Sequence, residues 1–501
     1  MHSKATAILH AGQWSLAAIV AFGVTACSNP PAKTAEPPAD RPGSPPQTAY
    51  VTFDAVWETV DQRHFDPEHN GVDWVAVREE FRPRIEETRN EEEVRMILSQ
   101  MLSKLGQSHF VIIPGDRVSS ETSEDTSDQT NRDAAQNDDQ ADSSSPDDDE
   151  ETSPRGDGGP ASIGFRLGFV DEQPTVIRIE SGSSAEKLGI QPGWVVETVN
   201  GRSLKDRFSR IRQAVAESGS SLAEGESAMM LEAISRGRGG GEATIEFMTF
   251  DGEKVEHTIE FEELDAPIVK FGNLPEMPVV FESNWISADD MSAMGVTFNA
   301  DDPPSIGYIY FNNWMFPIMA PLADAVDEFR SADGIVLDLR RNPGGLGGLA
   351  MGAAGHFINE AKSLGSMISR KDTLEFVVNP QRATMDGRLV EPYAGPLVII
   401  VDAGTASTSE IFGAGLKQLG RAHIVGRQSM GAALPAHTMK LPNGDVFMHA
   451  VANFIGPDEE SVEETGVVPD QFVTLTRENL MNEKDPDLKT AVDWILENPS
   501  R

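Results

Sequence analysis

The apolar residues between residues 50 and 115 follow the spacing of α-helices. One run places six apolar side chains three or four positions apart, on a single face: Val94, Ile97, Leu98, Met101, Leu102 and Leu105. Asn90 and Glu93 have the spacing of an N-terminal capping box, and Gly106 is a typical helix stop. The pattern predicts a small helical domain over residues 50–115, which we call the cap.

From Ile163 onward the pattern changes to short apolar runs separated by Gly and Pro, which predicts strands. The string AEKLGIQPGW at residues 185–194, followed by VNG at 199–201, resembles a PDZ domain, here residues 160–265. The resemblance implies a peptide groove beside the strand that follows Ile163-Gly164-Phe165, where backbone N–H groups would meet a chain carboxylate. A purely structural role for the domain stays open, and residues 202–241 are longer than a minimal PDZ domain requires.

The rest of the chain, residues 266–501, alternates apolar runs with helical stretches, as an α/β layer requires. This is the largest predicted domain, and the whole chain is expected to be a multidomain α/β protein. Strands are predicted at Ile306–Phe311, Ile335–Leu339 and Leu397–Val401, and helices at Pro317–Phe329 and Glu410–Leu419.

The composition restricts the class of protein. Charged residues make up 24% and apolar residues 39% of the 501, which is ordinary for a soluble protein and too polar for a bundle of transmembrane helices. The formal charge of -39 would repel nucleic acid. Cys27 is the one cysteine, so neither a disulfide nor a cysteine-based metal site can form within the chain.

The first 26 residues have the features of an export signal, with Lys4 near the start and an apolar stretch that ends in small residues. Val24-Thr25-Ala26-Cys27 resembles the bacterial lipoprotein cleavage box, which implies a lipid on Cys27; a plain secretory signal is the alternative. Residues 27–49 are rich in Pro and predict an extended tether. Residues 116–159 are acidic with almost no large apolar residue, which predicts a disordered linker.

Candidate chemistry lies where the apolar strand Leu397–Val401 meets the helix predicted from Glu410. Ser407 stands at this junction, where unpaired backbone N–H groups and the positive end of the helix dipole can stabilise an oxyanion. A serine hydroxyl that only caps the helix, at Ser407 or Ser409, is the alternative.

A second strand end carries the loop Asp338-Leu339-Arg340-Arg341-Asn342-Pro343-Gly344-Gly345, whose glycines let backbone approach a ligand closely. This loop, the Ser407-Thr408-Ser409-Glu410 turn and Gly466-Val467-Val468-Pro469-Asp470 resemble the C-terminal processing and tricorn-type serine peptidases. The resemblance covers nearly all of the chain after residue 50 and implies a ClpP/crotonase-like α/β catalytic domain. It also implies Ser407 as the nucleophile, with an oxyanion hole formed by N–H groups of Thr408 and of Gly344 or Gly345.

The general base distinguishes the two branches of that family. The Ser/Lys type carries a lysine in a Gly-Lys-Gly string, whereas residues 430–433 of this chain read MGAA. The tricorn branch has a Ser-His pair at the end of the cap, which matches Ser108-His109, and a glutamate that matches Glu463. By this resemblance His109, titrating near pH 6 to 7, takes the proton of the nucleophile, and Ser108 and Glu463 orient its ring. The open alternatives are Glu464 for the glutamate and His356, His437 and His449 for the base.

The sequence therefore predicts a serine endopeptidase or carboxy-terminal processing peptidase with no metal and no other cofactor. Its partners would be polypeptides with exposed C-termini, and nucleic acid is not among them. The signal implies a lipid-anchored protein of the cell envelope that faces the periplasm, with the outer membrane favoured over the inner. A catalytically inactive relative that binds peptides or apolar ligands is the alternative, and the oligomeric state stays open.

Overall fold

The computed structural model describes residues 45–117, 158–209 and 222–499. They divide into the cap, a middle β unit and a large α/β unit, each with its own apolar core. The export signal, Cys27, nearly all of the tether and of the acidic linker, and residues 210–221 lie outside the described residues, so the predictions made for them stay predictions. Among the described residues, no helix combines the length and the apolarity needed to cross a bilayer.

The cap is helical, as its apolar spacing predicts. Gly106 ends the last turn in the left-handed conformation, with φ 65°, and Asn90 caps the third helix by accepting a hydrogen bond from the Glu93 N–H at 2.8 Å. Its elements are α1 (Ala49–Arg63), α2 (Trp74–Phe81), α3 (Glu91–Leu102) and β1 (Val111–Ile113), with 3₁₀ turns at His69–Gly71, Arg82–Glu87, Ser103–Leu105 and Gly115–Arg117.

The middle unit is an antiparallel β structure with a short helix, a longer one and a helical stretch at residues 204–209. Its elements are β2 (Pro160–Ser162), β3 (Phe165–Val170), β4 (Gln173–Ile179), α4 (Ser184–Lys187), β5 (Val195–Val199), β6 (Arg202–Ser203), α5 (Ala223–Ile234), β7 (Arg236–Arg238), β8 (Glu242–Met248), β9 (Lys254–Glu260) and β10 (Glu262–Glu263). The main sheet has the order β3-β4-β5-β8-β9. Because β3 is the terminal strand, one of its edges has no strand partner among the described residues, and α5 packs beside it.

The α/β unit confirms the predicted multidomain α/β architecture. It begins with β11 (Ile268–Val269), β12 (Met277–Pro278), β13 (Phe281–Trp285), α6 (Ala288–Ala293), β14 (Ile306–Phe311), α7 (Met319–Glu328), β15 (Gly334–Asp338) and α8 (Gly348–Ala354), with 3₁₀ turns at Phe316–Ile318 and Phe329–Ser331. It continues with β16 (Ser363–Ile368), β17 (Thr373–Val377), β18 (Leu397–Val401), α9 (Thr408–Gln418), β19 (His423–Gly426), β20 (Ala436–Lys440), β21 (Val446–Ala450), β22 (Asn453–Ile455), β23 (Gln471–Phe472), α10 (Arg477–Glu483) and α11 (Pro486–Glu497).

The central sheet of this unit has the order β13-β14-β15-β18-β19-β23 and is parallel except for the β13–β14 pair. Strands β15 and β18 are neighbours, so their carboxyl ends open at the same edge of the sheet. The loop that contains Gly344 and Gly345 follows β15, and the loop that contains Ser407 follows β18. The two loops therefore meet at this edge. Helix α9 begins at Thr408, two residues earlier than the sequence predicts.

The cap is attached to the α/β unit by strand pairing and by a buried ion pair. Strand β1 pairs antiparallel with β21, which pairs in turn with β20. The Arg95 guanidinium of α3 binds both carboxylate oxygens of Asp445 at 2.9 Å, beside the start of β21. Phe447 of β21 is fully buried and belongs to the apolar core of the cap. The end of the cap is thus fixed against the hairpin of the larger unit.

We expect Phe447→Ala to lower the free energy of unfolding by about 3–5 kcal/mol, because it opens a cavity where the cap meets β21. Phe472→Ala is the matched control, since that side chain is 61% exposed and its loss leaves no cavity. Urea denaturation followed by tryptophan fluorescence measures both. Equal losses in the two variants would contradict the packing described for Phe447.

Candidate active site

Ser407 lies between β18 and α9 in a backbone conformation that residues other than glycine rarely adopt, with φ 54° and ψ -116°. Its carbonyl accepts hydrogen bonds from the N–H groups of Glu410 and Ile411 at 2.8 and 2.9 Å. Its N–H donates to the Ala432 carbonyl at 2.9 Å. The residue occupies the N-cap position of α9, yet its hydroxyl does not cap the helix. The Ser407 hydroxyl is therefore not used to satisfy the backbone N–H groups of the first helical turn.

Glu410 holds this conformation in place from the first turn of α9. Its buried carboxylate accepts hydrogen bonds from the N–H groups of Ser407 and Ala432 at 2.9 Å and of Gly431 at 2.6 Å, and from the Ser429 hydroxyl at 2.5 Å. Burial raises the pKa of Glu410 to about 7, against the opposing effect of these donors. The carboxylate joins the Ser407 turn to the segment that contains Ala432.

The loop after β15 is anchored by buried charges. Asp338 accepts from Arg340 at 2.6 Å and from Arg178 of the middle unit at 3.2 Å. Arg340 also pairs with Asp485 at 2.8 Å and Asp487 at 3.0 Å, at the start of α11. Burial alone would raise the pKa of Asp338, but the neighbouring guanidinium groups outweigh burial and hold it below its ordinary value. The loop is thereby rigid on the side away from Ser407.

The other side of this loop faces the serine. A Cβ placed on Gly344 would lie 2.7 Å from the Ser407 Cβ and 3.0 Å from the Thr408 nitrogen, so only glycine fits there. The Gly344 N–H, however, donates to the Asn342 side-chain oxygen at 3.0 Å. The Thr408 hydroxyl binds the Gly345 carbonyl at 3.0 Å, which keeps these two backbones adjacent. Of the two glycines named by the sequence, Gly344 therefore already has an internal acceptor for its N–H.

The Ser108-His109 pair meets Glu463 at the end of the cap. The Ser108 hydroxyl lies 2.6 Å from His109 Nδ1 and 2.9 Å from Glu463 Oε2. Glu463 also accepts the N–H groups of Ser108 and Ala433, both at 2.8 Å. Since the Ser108 hydroxyl donates its proton to the carboxylate, it accepts one from His109 Nδ1. This arrangement fixes the tautomer in which Nε2 carries a free lone pair.

The imidazole group and the serine are connected through two consecutive residues. Ala432 binds the Ser407 N–H through its carbonyl, and Ala433 binds Glu463 through its N–H. Ser407 Oγ and His109 Nε2 are both buried, and neither has a hydrogen-bond partner within the part of the chain that the structure describes. The serine–imidazole hydrogen bond is thus unmade in this state, and no other side chain competes for either atom.

Burial sets the protonation of the group. Complete burial lowers the pKa of His109 to about 3, so the ring is neutral near pH 7. Burial raises the pKa of Glu463 to about 7, against the opposing effect of the hydrogen bonds from Ser108 and Ala433. The groups of the site with a pKa of about 7 are therefore the carboxylates Glu463 and Glu410, whereas the sequence assigns a pKa of 6 to 7 to the imidazole.

The alternative residues make contacts of other kinds. Ser409 accepts the Trp314 indole N–H at 2.9 Å and donates to the Asn342 carbonyl, which is a structural role. Glu464 contributes its N–H to the Gly431 carbonyl, while the carboxylate that reaches Ser108 is that of Glu463. His437 and His449 face each other across β20 and β21 with ring centroids 6.5 Å apart, and His356 follows α8.

The loop Ile163-Gly164-Phe165 precedes β3, but two of its three N–H groups are already engaged. The Ile163 N–H donates to the Ser235 carbonyl at 3.0 Å, and the Gly164 N–H to the Ser162 hydroxyl at 3.1 Å. Internal acceptors thus occupy two of these N–H groups in this state, and binding of a chain carboxylate at this loop stays a prediction.

Two residues that hold the site together were not given a role by the sequence analysis. Glu410 is visible in the sequence as the acid three residues after Ser407, which is the spacing of a capping box. Asn342 binds Gly344 through its side chain and the Ala406 N–H through its carbonyl, at 3.0 Å in both cases. No spacing rule could have found the second role, since it joins two loops that are distant in sequence.

Two segments of the chain match known protein families. Residues 305–473 match peptidase family S41, and residues 45–103 match the tricorn protease C1 domain. A carboxyl-terminal-processing protease of Synechocystis sp. is 29% identical over 197 residues, which are 38% of this chain and 44% of that protein. A probable CtpA-like serine protease of Staphylococcus aureus is 25% identical over 323 residues, 64% of this chain and 54% of that protein. The chain thus spans about half the length of the curated relatives it matches.

Two solved structures share the fold. The photosystem II D1 C-terminal processing protease superposes with a TM-score of 0.50 at 19% identity, over 88% of this chain and 96% of that one. Mature CPAF superposes with a TM-score of 0.54 at 11% identity, over 91% of this chain and 98% of that one. At these identities the likeness concerns the arrangement of the chain and not its chemistry.

We expect the His109 ring to stay neutral, with its proton on Nδ1, down to about pH 4, because burial lowers its pKa to about 3. Nitrogen-15 NMR of histidine-labelled protein measures both the tautomer and the titration. Ser108→Ala removes the acceptor of the Nδ1 proton and should mix the two tautomers while the ring stays buried. A midpoint near 6.5 in the parent protein would contradict the described burial.

Proposed function

We propose that the chain is a serine peptidase of family S41, the family that residues 305–473 match, with Ser407 as nucleophile and His109 as general base. The observation that carries the proposal is the Ser108 hydroxyl, which bridges His109 Nδ1 and Glu463 and leaves His109 Nε2 free as an acceptor. A serine hydroxyl needs such a base to attack near neutral pH. The sequence offers no lysine in the 430–433 segment to take that role.

The proposed reaction is acyl transfer to Ser407. As Oγ attacks the carbonyl carbon of the scissile peptide bond, its proton passes to His109 Nε2. The oxyanion of the tetrahedral intermediate accepts the N–H groups of Gly345 and Thr408, at the positive end of α9. The imidazolium then gives the proton to the leaving amine, the C–N bond breaks, and water hydrolyses the acyl-enzyme with the same base.

Ser108 and Glu463 act on the ring and not on the substrate. When His109 takes up a proton, the Ser108 hydroxyl continues to accept from Nδ1, and the Glu463 carboxylate balances the new charge through that hydroxyl. Because the resting ring is buried without a partner on Nε2, protonation is unfavourable until an oxyanion forms nearby. The serine–imidazole hydrogen bond would close when substrate binds, as catalytic hydrogen bonds often do.

Within this proposal the middle unit is a PDZ domain that binds extended polypeptide C-termini along β3. The support is the terminal position of β3 in its sheet and the packing of α5 beside it, which together form a groove with a strand edge. Substrates would be unfolded or C-terminally exposed proteins. The export signal and Cys27 support a lipid-anchored position in the cell envelope, on the sequence alone.

A serine-directed phosphonate should label Ser407, and His109→Ala should lower kcat/KM for peptide cleavage by about 10³-fold or more without unfolding the protein. Mass spectrometry of the labelled peptide and a fluorogenic peptide assay measure the two effects. His437→Ala is the matched control, since that imidazole lies outside the Ser108–Glu463 group. Unchanged cleavage by His109→Ala would exclude His109 as the base, and the absence of both labelling and cleavage would favour the inactive binding protein.

We expect kcat/KM to rise with pH through about 7, because the ionised form of Glu463 is the acceptor that orders Ser108 and its pKa is about 7. Glu463→Gln should lower kcat/KM by about 10²-fold and abolish this limb, since glutamine cannot ionise. The pH profile of peptide hydrolysis between pH 5 and 9 measures both. A limb that persists in Glu463→Gln would assign it to another group.

A further inference from the structure

Arg341 extends from the loop after β15 into the groove of the middle unit. Its Nη2 donates to the Leu167 carbonyl of β3 at 2.8 Å, and its Nη1 donates to the Ala228 carbonyl of α5. The side chain is only 6% exposed. One guanidinium group of the catalytic unit therefore spans the two elements that border the groove.

The Leu167 carbonyl belongs to the strand edge that a bound peptide would need. Val176, which lies opposite Leu167 in the β3–β4 pair, gives its N–H to the Trp194 carbonyl and its carbonyl to the Gly193 N–H, both at 2.8 Å. Backbone groups alternate between the two sides of a strand. Leu167 is therefore not bonded to Val176, and its backbone groups point away from β4, toward the position of an added strand.

The other end of Arg341 is built into the catalytic machinery. Its N–H donates to Asp402 Oδ1 at 2.9 Å, and its Nε lies 2.9 Å from Asp402 Oδ2. Gly404 packs directly on the side chain, since a Cβ there would lie 2.6 Å from Arg341 Cδ. Asp402 and Gly404 belong to the turn that ends at Ser407, and the residue that follows Arg341 is Asn342, which binds the Gly344 N–H.

We propose that Arg341 is an internal occupant of the peptide groove. An extended polypeptide C-terminus that pairs with β3 has to displace the Arg341 guanidinium from Leu167, so peptide binding acts directly on the loop and the turn that Arg341 holds. The proposal rests on the peptide-binding role proposed above for the middle unit. The contact of Arg341 with the groove is autoinhibitory for the active site in the resting chain. A bound peptide relieves this inhibition without separating the units.

The charges make the exchange feasible. Asp402 stays paired with Arg341 when the guanidinium leaves the groove, so no buried carboxylate is left without its cation. The peptide supplies its own N–H to the Leu167 carbonyl, so that acceptor is satisfied in both states. Arg341 also has a left-handed backbone, with φ 60°, which a residue with a side chain adopts only when its surroundings hold it there. Release from the groove removes part of that restraint.

The test measures peptide affinity in the full chain with Ser407→Ala, so that no cleavage occurs. The probe is a fluorescein-labelled peptide with an apolar last residue and a free carboxylate, followed by fluorescence anisotropy. Arg341→Met in this background should bind the peptide about 10-fold more tightly, within the usual range of coupling between sites. The matched control is Arg370→Met, because that guanidinium also binds backbone carbonyls, of Gln62 and Asp61, but at the end of α1. Its affinity should equal that of the Ser407→Ala parent.

Equal or weaker binding by Arg341→Met, with a folded protein shown by thermal melting, would overturn the proposal. If that variant does not fold, Arg341→Lys decides, since one ammonium cannot reach both carbonyls and should give an intermediate gain in affinity; no gain would overturn the proposal. Absence of peptide binding in every variant would overturn both this inference and the groove. A gain in affinity for Arg341→Met, together with no peptide cleavage by the chain that retains Ser407, would support the inference and contradict the peptidase.

Discussion

The three-residue pairing of β1 with β21 is the contact on which the candidate active site depends. It fixes the end of the cap against the α/β unit, and the Arg95–Asp445 pair secures it at the neighbouring turn. Ser108 and His109 directly precede β1, so their position follows from this register. If the β1–β21 register shifted by one residue, every side chain of β1 would point to the opposite face of the sheet. The imidazole would then lie away from Glu463. The Ser108–His109–Glu463 group is thus assembled by tertiary contact between segments more than 300 residues apart.

Two buried carboxylates organise the segment in which the related Ser/Lys enzymes carry their base. Glu410 accepts the Ala432 N–H and Glu463 accepts the Ala433 N–H, so two neighbouring peptide groups connect the Ser407 turn to the residues that hold the imidazole. Each carboxylate has several donors, which offset much of the cost of burying it. With both N–H groups bound, the segment serves as a backbone bridge, and it has no side chain that could act as a base.

The middle unit contacts the α/β unit through apolar side chains, with Met229 in one buried cluster with Ala406 and Met430, and also through polar groups. Arg166 donates to the Tyr310 hydroxyl at 2.5 Å, and Arg178 donates to the Tyr308 hydroxyl at 2.9 Å and to Asp338. Arg341 of the α/β unit donates in turn to the Leu167 and Ala228 carbonyls of the middle unit. Such contacts are specific in direction and can be exchanged for those of a ligand, which a packed apolar interface does not permit.

The local pattern of the sequence determined the elements and much of the site. Apolar spacing located the cap helices, continuous apolar runs located β14, β15 and β18, and the motif at Ser407 marked the strand-to-helix junction. These follow from periodicity and from the chemistry of single residues, which act over a few positions. Tertiary structure alone decided that Glu463 rather than Glu464 reaches Ser108 and that the Gly344 N–H is taken by Asn342. It also decided that Arg341 enters the groove, because each of these outcomes depends on distances between segments that the order of residues does not encode.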